Sequence, residues 1–240
     1  MRLVKRQTLQ NVTVFGIMEK IWEAGMIRSV IFDMDGLMFD TEQLYQSGWS
    51  ELAKEQGVAL PEGFKKEIGG TAGEDLLNIL RKYYPGKDPV LLLRWVQNSV
   101  HEQLLAEIPV KPGLHELLDY FKENGVRLAI ASSSPEKVIR SNLEVSGLTD
   151  YFDEIVSAQG MKHGKPNPDI FLLAAERLCL DPKDCYVLED AVNGVKAGLA
   201  AGCETIMVPD LVEPDEEIRR LAHVCASLSE VKEKISSGAF

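Results

Sequence analysis

Two aspartates, Asp33 and Asp35, directly follow an apolar run, and Gly36 comes immediately after them. A carboxylate is costly to bury unless it is paired or bound to a cation, so its presence at the end of a buried strand needs an explanation. One ionised carboxylate can act as a nucleophile, and a second, protonated one can donate a proton to a leaving group. The segment is therefore the first candidate for chemistry.

Other polar residues follow further strand-like runs. They are Ser132 at the end of 127–132 with Ser133 and Ser134 after it, Lys165 after 153–158, and Glu189 and Asp190 at the end of 185–190. In an open parallel sheet, ligands bind beyond the carboxyl ends of the strands. We call this edge, with the residues that follow its strands, the carboxyl edge. The pattern predicts that a hydroxyl, an ammonium and four carboxylates meet there.

The elements that position these residues alternate between strands and helices. The predicted strands are 28–32, 127–132, 153–158, 185–190, 204–209 and 223–228. The helices between them show recognisable ends, such as Ser134 as an N-cap before Pro135, Asn167 before Pro168, and Gly202 as a C-terminal stop. Near-continuous apolar strands separated by helices indicate an α/β fold with a doubly wound parallel sheet.

One long segment has no convincing strand. Helical patterns cover 44–56, 73–84 and 89–107, which predicts an all-helical cap domain over 44–107 inserted between the first two strands. The core domain would then comprise 26–43 and 108–240. The first 25 residues differ in composition from the remainder, and we interpret 1–25 as a leader or a non-native extension.

Composition excludes several classes of partner. The formal net charge is -11 and the isoelectric point is near 4.9, whereas a nucleic-acid or anionic-membrane partner requires a basic face. The four cysteines form no C-x-x-C pair and indicate buried, reduced thiols. No apolar run approaches the length of a membrane span. We expect a cytoplasmic protein that is a monomer or a weak homodimer.

Four clustered carboxylates repel one another unless a cation joins them. Oxygen ligands without histidine or cysteine suit Mg²⁺, which commonly bridges to phosphate. Lys165 would add a second positive charge, Ser132 a hydroxyl donor, and Gly36 close backbone approach to a phosphate. We interpret the site as a phosphoryl-transfer site, in which Asp33 attacks phosphorus and Asp35 serves as acid and then as base.

The joint pattern resembles the haloacid dehalogenase superfamily. Its four motifs correspond to "DMDG" at 33–36, Ser132 after "LAIA", Lys165 in "GKPNPDIF", and "LEDAVNGVKAGLAAG" from 188. The resemblance covers 27–228 and points to the branch of β-phosphoglucomutase-like enzymes and small-metabolite phosphatases. It implies a Rossmann-like core, and Mg²⁺ held by Asp33, the backbone carbonyl of Asp35 and Asp190. Glu189 would bind the ion directly or through water.

Within that branch, hydrolysis of a small phosphorylated metabolite is favoured over mutase activity. A phosphosugar mutase needs a second cationic phosphate site, and the positions where the family carries cations are Gly69, Gly73 and Pro135 here. The cap histidine of the family corresponds to Tyr45. Each lost charge-assisted hydrogen bond is worth roughly 1.5–3 kcal/mol. A β-phosphoglucomutase-type mutase remains the alternative.

Substrate contacts are expected from the backbone of Gly36, from Ser133, and from Gly70 and Thr71 in the cap loop. Trp49 is assigned to packing, and Asp40 to a structural role in the cap hinge. A calcium loop is excluded because Met38 and Leu44 occupy the positions that would need glycine and glutamate. A dehalogenase is disfavoured because it lacks the second aspartate. A binding-only module would have lost a catalytic group, and none is missing.

Overall fold

The computed structural model describes residues 28–68 and 73–240. The predicted leader at 1–25 and the predicted cap-loop residues Gly69, Gly70 and Thr71 lie outside these ranges. Within the described ranges, none of the helices combines the length and the apolarity that a membrane crossing needs.

Six parallel strands form one sheet in the order β3-β2-β1-β4-β5-β6. They are β1 (Ser29–Phe32), β2 (Arg127–Ser132), β3 (Glu154–Ser157), β4 (Cys185–Glu189), β5 (Glu204–Met207) and β6 (His223–Val224). All six predicted strands are present, although the last contains only two residues. The register pairs Phe32 with Ile130 on one side and with Leu188 on the other, so Asp33 and Glu189 lie level at the carboxyl edge.

Helices cover both faces of this sheet. Those of the core are α5 (Leu114–Glu123), α6 (Glu136–Ser146), α7 (Asp169–Arg177), α8 (Val192–Ala201), α9 (Glu216–Leu221) and α10 (Leu228–Ser236). Val30 and Phe32 pack with the buried stripe of α5, whereas Ile31 packs with α7 on the opposite face. Because β1 is buried on both faces, its residues 30–32 are all apolar rather than alternating. The predicted doubly wound α/β fold is confirmed.

The described residues of the insert between β1 and β2 form helices joined by short loops, with no strand among them. It contains α1 (Thr41–Gln56), α2 (Phe64–Ile68), α3 (Gly73–Tyr83) and α4 (Pro89–Ala106). The short helix α2 was not predicted; its Phe64 is buried and contacts Trp49 edge to face, with ring centroids 6.2 Å apart. The helical cap is thus confirmed, and so is the assignment of Trp49 to packing, while the boundaries of 44–107 stay a prediction.

Two linkers connect the cap to the core and pair with each other. Phe39 and Val110 form an antiparallel bridge, and the Asp40 N–H donates to the Pro109 carbonyl at 2.8 Å. Lys111 Nζ lies 3.4 Å from Asp40 Oδ1 and 2.7 Å from Asp210 Oδ1, which belongs to the segment after β5. The Asp40 side chain therefore belongs to a structural contact at the hinge.

Three local predictions were wrong: the N-cap residues of two helices differ by one position, and one cysteine differs in burial. Helix α6 has Pro135 rather than Ser134 at its N-cap, and α7 has Pro168 rather than Asn167. In both cases proline cannot cap with a side-chain hydrogen bond, so the polar residue before it is free for another contact. Cys179 is exposed rather than buried, because the chain turns after α7 with a left-handed φ of 56° at this residue.

Candidate active site

Asp33 is the first residue after β1, and its side chain is almost enclosed. Its N–H donates to the Leu188 carbonyl at 2.9 Å, which continues the sheet pairing by one residue. Lys165 Nζ lies 2.5 Å from Asp33 Oδ1 and 2.6 Å from Glu189 Oε1, and also donates to the Ala131 carbonyl at 3.2 Å. A single ammonium group therefore joins two carboxylates from neighbouring strands.

Glu189 is fixed by contacts to both of its oxygens. While Oε1 accepts from Lys165, Oε2 accepts from the N–H groups of Asp190 and Ala191, each at 3.0 Å. Gly194 in α8 provides the space for this carboxylate, because a Cβ there would lie 1.7 Å from Glu189 Oε1. Gly194 is thus a residue that the sequence analysis missed. The signal was a glycine inside a helix, which is unfavourable by about 1 kcal/mol without a packing reason.

Asp33, Glu189 and Asp190 form what we call the acidic cluster. Each offers an oxygen within 4.8 Å of the others, and no other group of this kind occurs in the described part of the chain. Burial raises the pKa of Asp33 to about 7 even though Lys165 opposes it, and burial and Glu189 raise the pKa of Asp190. Burial alone would lower the pKa of Lys165, but Asp33 and Glu189 raise it above its ordinary value. The cluster therefore favours an additional positive charge.

Asp35 lies beside this cluster but its carboxyl group is bound elsewhere. Thr41 Oγ1 donates to Oδ1 at 3.1 Å, and Ser134 Oγ donates to Oδ2 at 2.8 Å. Burial raises the pKa of Asp35, and the bonds from Ser134 and Thr41 only partly offset this. The sequence placed Ser134 at this edge but indicated a helix cap for its hydroxyl, whereas Thr41 was missed because its spacing carries no separate signal.

The serine segment after β2 supplies two of the predicted residues. Ser132 is buried, and its Oγ accepts from the Ser134 N–H at 3.0 Å, whereas Ser133 is exposed. Gly36 has a left-handed φ of 89°, and a Cβ there would lie 2.3 Å from Asp190 Oδ2. Its own N–H donates to the Phe39 carbonyl at 2.9 Å. The absent side chain of Gly36 thus makes room for Asp190.

The structure brings the predicted residues of four strands, and of the loops that follow them, to one place. Asp33, Lys165, Glu189 and Asp190 are in mutual contact or close proximity, and Asp35 lies beside them with its carboxyl group hydrogen-bonded to Ser134. Gly70 and Thr71 lie outside the described residues. Tyr45 is half-buried in α1 and packs against the hydrophobic core. The chemical roles of these residues stay predictions.

Comparison with known proteins identifies the class to which this fold and site belong. The family model described as haloacid dehalogenase-like hydrolase matches residues 30–208, and the chain belongs to that family. It is 36% identical over 187 residues to a phosphorylated carbohydrates phosphatase of Thermotoga maritima, covering 75% of this chain and 84% of the relative. Over 220 residues it is 31% identical to hexitol phosphatase B of Escherichia coli O157:H7, covering 87% and 96%.

A solved structure agrees with this assignment. The β-phosphoglucomutase of Clostridium difficile superimposes with a TM-score of 0.68 at 26% identity, covering 89% of this chain and 99% of that chain. The resemblance inferred from the four motifs is thereby confirmed, and so is the enzyme class, a phosphatase of the haloacid dehalogenase type.

Proposed function

We propose that this protein is a Mg²⁺-dependent phosphatase that hydrolyses a small phosphorylated metabolite, such as a sugar phosphate, through an aspartyl-phosphate on Asp33. The observation that carries the proposal is the Lys165 ammonium between Asp33 and Glu189, next to Asp190, at the carboxyl edge. The relatives named for phosphorylated carbohydrates and hexitols support the substrate class.

The residues of the acidic cluster fit a magnesium ion. Their oxygen-only donor set matches the preference of Mg²⁺, and the raised pKa values of Asp33 and Asp190 express a deficit of positive charge that a cation offsets. Asp33, Asp190 and the carbonyl of Asp35 would hold the ion. Glu189 would bind the ion directly or through water, and its hydrogen bonds would also fix Lys165 and the loop that follows β4. When bound, the ion neutralises phosphate charge during transfer.

The reaction then divides between the two aspartates. A carboxylate oxygen of Asp33 attacks phosphorus in line while the bond from phosphorus to the leaving oxygen breaks, and Asp35 gives its proton to that oxygen. Water next attacks the same phosphorus, its proton goes to Asp35, and the bond from Asp33 to phosphorus breaks. The raised pKa of Asp35 supports its role as the proton donor.

Other groups would bind the phosphate and the leaving group. Lys165 stabilises negative charge on the transferred phosphoryl group, with Ser132 as a hydroxyl donor. Ser133 is exposed beside it and would contact substrate, as would the segment at Gly36. Gly70 and Thr71 in the cap loop would contact the leaving group.

A phosphosugar mutase is the second candidate, favoured by the likeness to the β-phosphoglucomutase structure. Mutase chemistry requires cations for a second phosphate, and the position directly after the serine segment, where the family carries a lysine, is the neutral Pro135 here. Hydrolysis therefore fits this chain better. We further propose a core of 26–43 and 108–240 with a cap of 44–107, a monomer or weak homodimer, and a cytoplasmic location, which the free cysteines support.

Phosphate release from a substrate panel tests the proposal. The panel contains fructose 1-phosphate, sorbitol 6-phosphate, glucose 6-phosphate, a nucleotide and 4-nitrophenyl phosphate, each assayed with Mg²⁺, with EDTA and with Mg²⁺ added back. We expect turnover that EDTA abolishes and Mg²⁺ restores. Asp33→Asn should lower kcat at least about 10³-fold, because it removes the nucleophile. Asp184→Asn, at a surface ion pair with Arg28, is the matched control.

Two outcomes would contradict the proposal. Full turnover by Asp33→Asn would exclude the aspartyl-phosphate, and failure to release phosphate from any substrate of the panel with Mg²⁺ would exclude the phosphatase. Formation of glucose 6-phosphate from β-glucose 1-phosphate in the presence of the bisphosphate would instead favour the mutase.

A further inference from the structure

Ser134 makes a contact to Asp35 that neither the motifs nor the comparisons assign. Its Oγ donates to Asp35 Oδ2 at 2.8 Å, across 99 residues of sequence. A hydroxyl at a helix start ordinarily caps the helix by accepting from a backbone N–H, but here Pro135 takes the N-cap position and has no side-chain acceptor. The Ser134 hydroxyl is thereby directed to the carboxyl group instead.

Ser134 itself is held at two further points. Its N–H donates to Ser132 Oγ at 3.0 Å, and its carbonyl accepts from Ser157 Oγ at 2.6 Å at the end of β3. Both partners belong to strands of the core sheet. The hydroxyl of Ser134 is therefore presented to Asp35 by a segment that is fixed to the core and not to the cap.

The second contact of Asp35 differs in this respect. Thr41, which donates to Oδ1 at 3.1 Å, is the first residue of α1 and directly follows the hinge residue Asp40. A cap that moves about its linkers changes the position of Thr41 relative to Asp35, whereas Ser134 stays in place. The core contact is the one that persists through such a motion.

We propose that Ser134 is a positioning residue that orients the carboxyl group of Asp35 for proton donation to the leaving group. The inference rests on the proposed function and adds a residue to it. Each carboxyl oxygen has two lone-pair positions, so Oδ2 accepts from Ser134 and still leaves a position for the transferable proton. Losing the hydroxyl frees the carboxyl group to rotate away from the leaving oxygen, which weakens acid catalysis without removing the acid.

Leaving-group dependence tests this role. An alkyl phosphate needs a proton on its departing oxygen, whereas 4-nitrophenyl phosphate releases a stabilised phenolate that does not. The value of kcat/KM reports on steps up to release of that group, so it isolates the step in which Asp35 donates. We would compare the best alkyl phosphate of the panel with 4-nitrophenyl phosphate for the unmodified enzyme and for each variant.

For Ser134→Ala we expect kcat/KM to fall about tenfold for the alkyl phosphate and less than about twofold for 4-nitrophenyl phosphate. The tenfold loss is only a part of the full contribution of a general acid, because Asp35 itself is still present. Asp35→Asn should show the same selectivity at larger size, and Ser134→Thr, which keeps the hydroxyl, should restore most of the loss. Ser146→Ala is the matched control, since its hydroxyl bonds only within α6. The ratio of the kcat/KM values for the two substrates is independent of any misfolded fraction of a variant, because both values are lowered by the same factor.

The outcomes separate the inference from the proposed function. Equal loss on both substrates, no loss on either, or no restoration by threonine would overturn the positioning role while the phosphatase stands. If the unmodified enzyme hydrolysed no alkyl phosphate, the proposed function would fail and the inference with it.

Discussion

The carboxyl edge and the cap both contain acidic and basic side chains in contact, but in opposite surroundings. At the carboxyl edge, Lys165 and Asp33 are each only 10% exposed and Glu189 is 2% exposed. In the cap, Arg81 pairs with Glu74 at 47% and 68% exposure, and Lys82 pairs with Glu67 at 58% and 37%. The geometry of the pairs is similar, and their distances overlap.

The difference in burial decides how strongly the charged groups of each region interact. An exposed pair contributes about 1 kcal/mol or less, because water and salt screen it. A buried pair strongly resists the loss of one partner, since the other is left as an uncompensated charge. The charges of the carboxyl edge therefore shift one another's pKa values, which suits them to the chemistry proposed above, whereas the ion pairs of the cap lie on its exposed surface. Cap stability depends instead on buried side chains such as Trp49, Phe64 and Tyr84.

The largest expected effect follows from removing the shared cation of the carboxyl edge. Lys165→Met leaves Asp33 and Glu189 without their ammonium partner, and we expect kcat to fall about 10²–10³-fold, as for other lost transition-state donors. Lys183→Met, at an exposed pair with Asp181, should leave kcat unchanged. Steady-state phosphate release measures kcat for both variants. If Lys165→Met lowered kcat as little as Lys183→Met, the buried and the exposed pairs would not differ in importance.

A steric change at the same edge should have the next largest effect. Gly194→Ala places a methyl group where Glu189 Oε1 lies, so the carboxylate must shift away from Lys165. We expect the free energy of unfolding to fall by about 1–3 kcal/mol, with a loss of kcat. Gly63→Ala is the control, because a Cβ there meets nothing within 4 Å. Urea unfolding and kcat together check this; unchanged values for Gly194→Ala would show that the edge tolerates rearrangement.

The hinge between the two regions should respond more weakly. Lys111→Met removes the cation between Asp40 on one linker and Asp210 on the core. We expect about 1 kcal/mol lower stability or less, and a change of a few-fold in KM through altered cap closure. Arg81→Met, within the cap, should change neither the stability nor the KM. A KM for Lys111→Met equal to that of the unmodified enzyme would mean that this contact does not control the cap.

The smallest effect concerns thiol labelling, which reports on the core alone because all four cysteines follow residue 108. Only Cys179 is exposed, and burial raises the pKa of Cys203 to about 12. We expect one rapid equivalent of reaction with a thiol reagent in the folded protein, no loss of activity, and four equivalents after unfolding. Rapid labelling of two or more cysteines without denaturant would show that buried cysteines of the core become accessible in the folded protein.

Much of the fold could be predicted because its signals are local. Six apolar runs marked six strands, and Gly202 marked the end of a helix, where the structure has it as the left-handed C-cap of α8. Helix α2 was missed because five residues are too few for a periodic pattern to emerge. The exposure of Cys179 was missed because burial depends on where the chain turns after α7, and the residue type does not specify that.

The site divides in the same way. The sequence by itself determined the identities of the acidic, basic and hydroxyl groups and, through the strand order of a parallel sheet, their arrival at one edge. Only the tertiary structure decided how they pair: that Lys165 bridges Asp33 and Glu189, that Ser134 turns from its helix to Asp35, and that Gly194 leaves room for a carboxylate. The contacts of Lys165 and Ser134 join residues far apart in the chain at separations of a few ångströms, and local sequence preferences carry no information about distances of that kind.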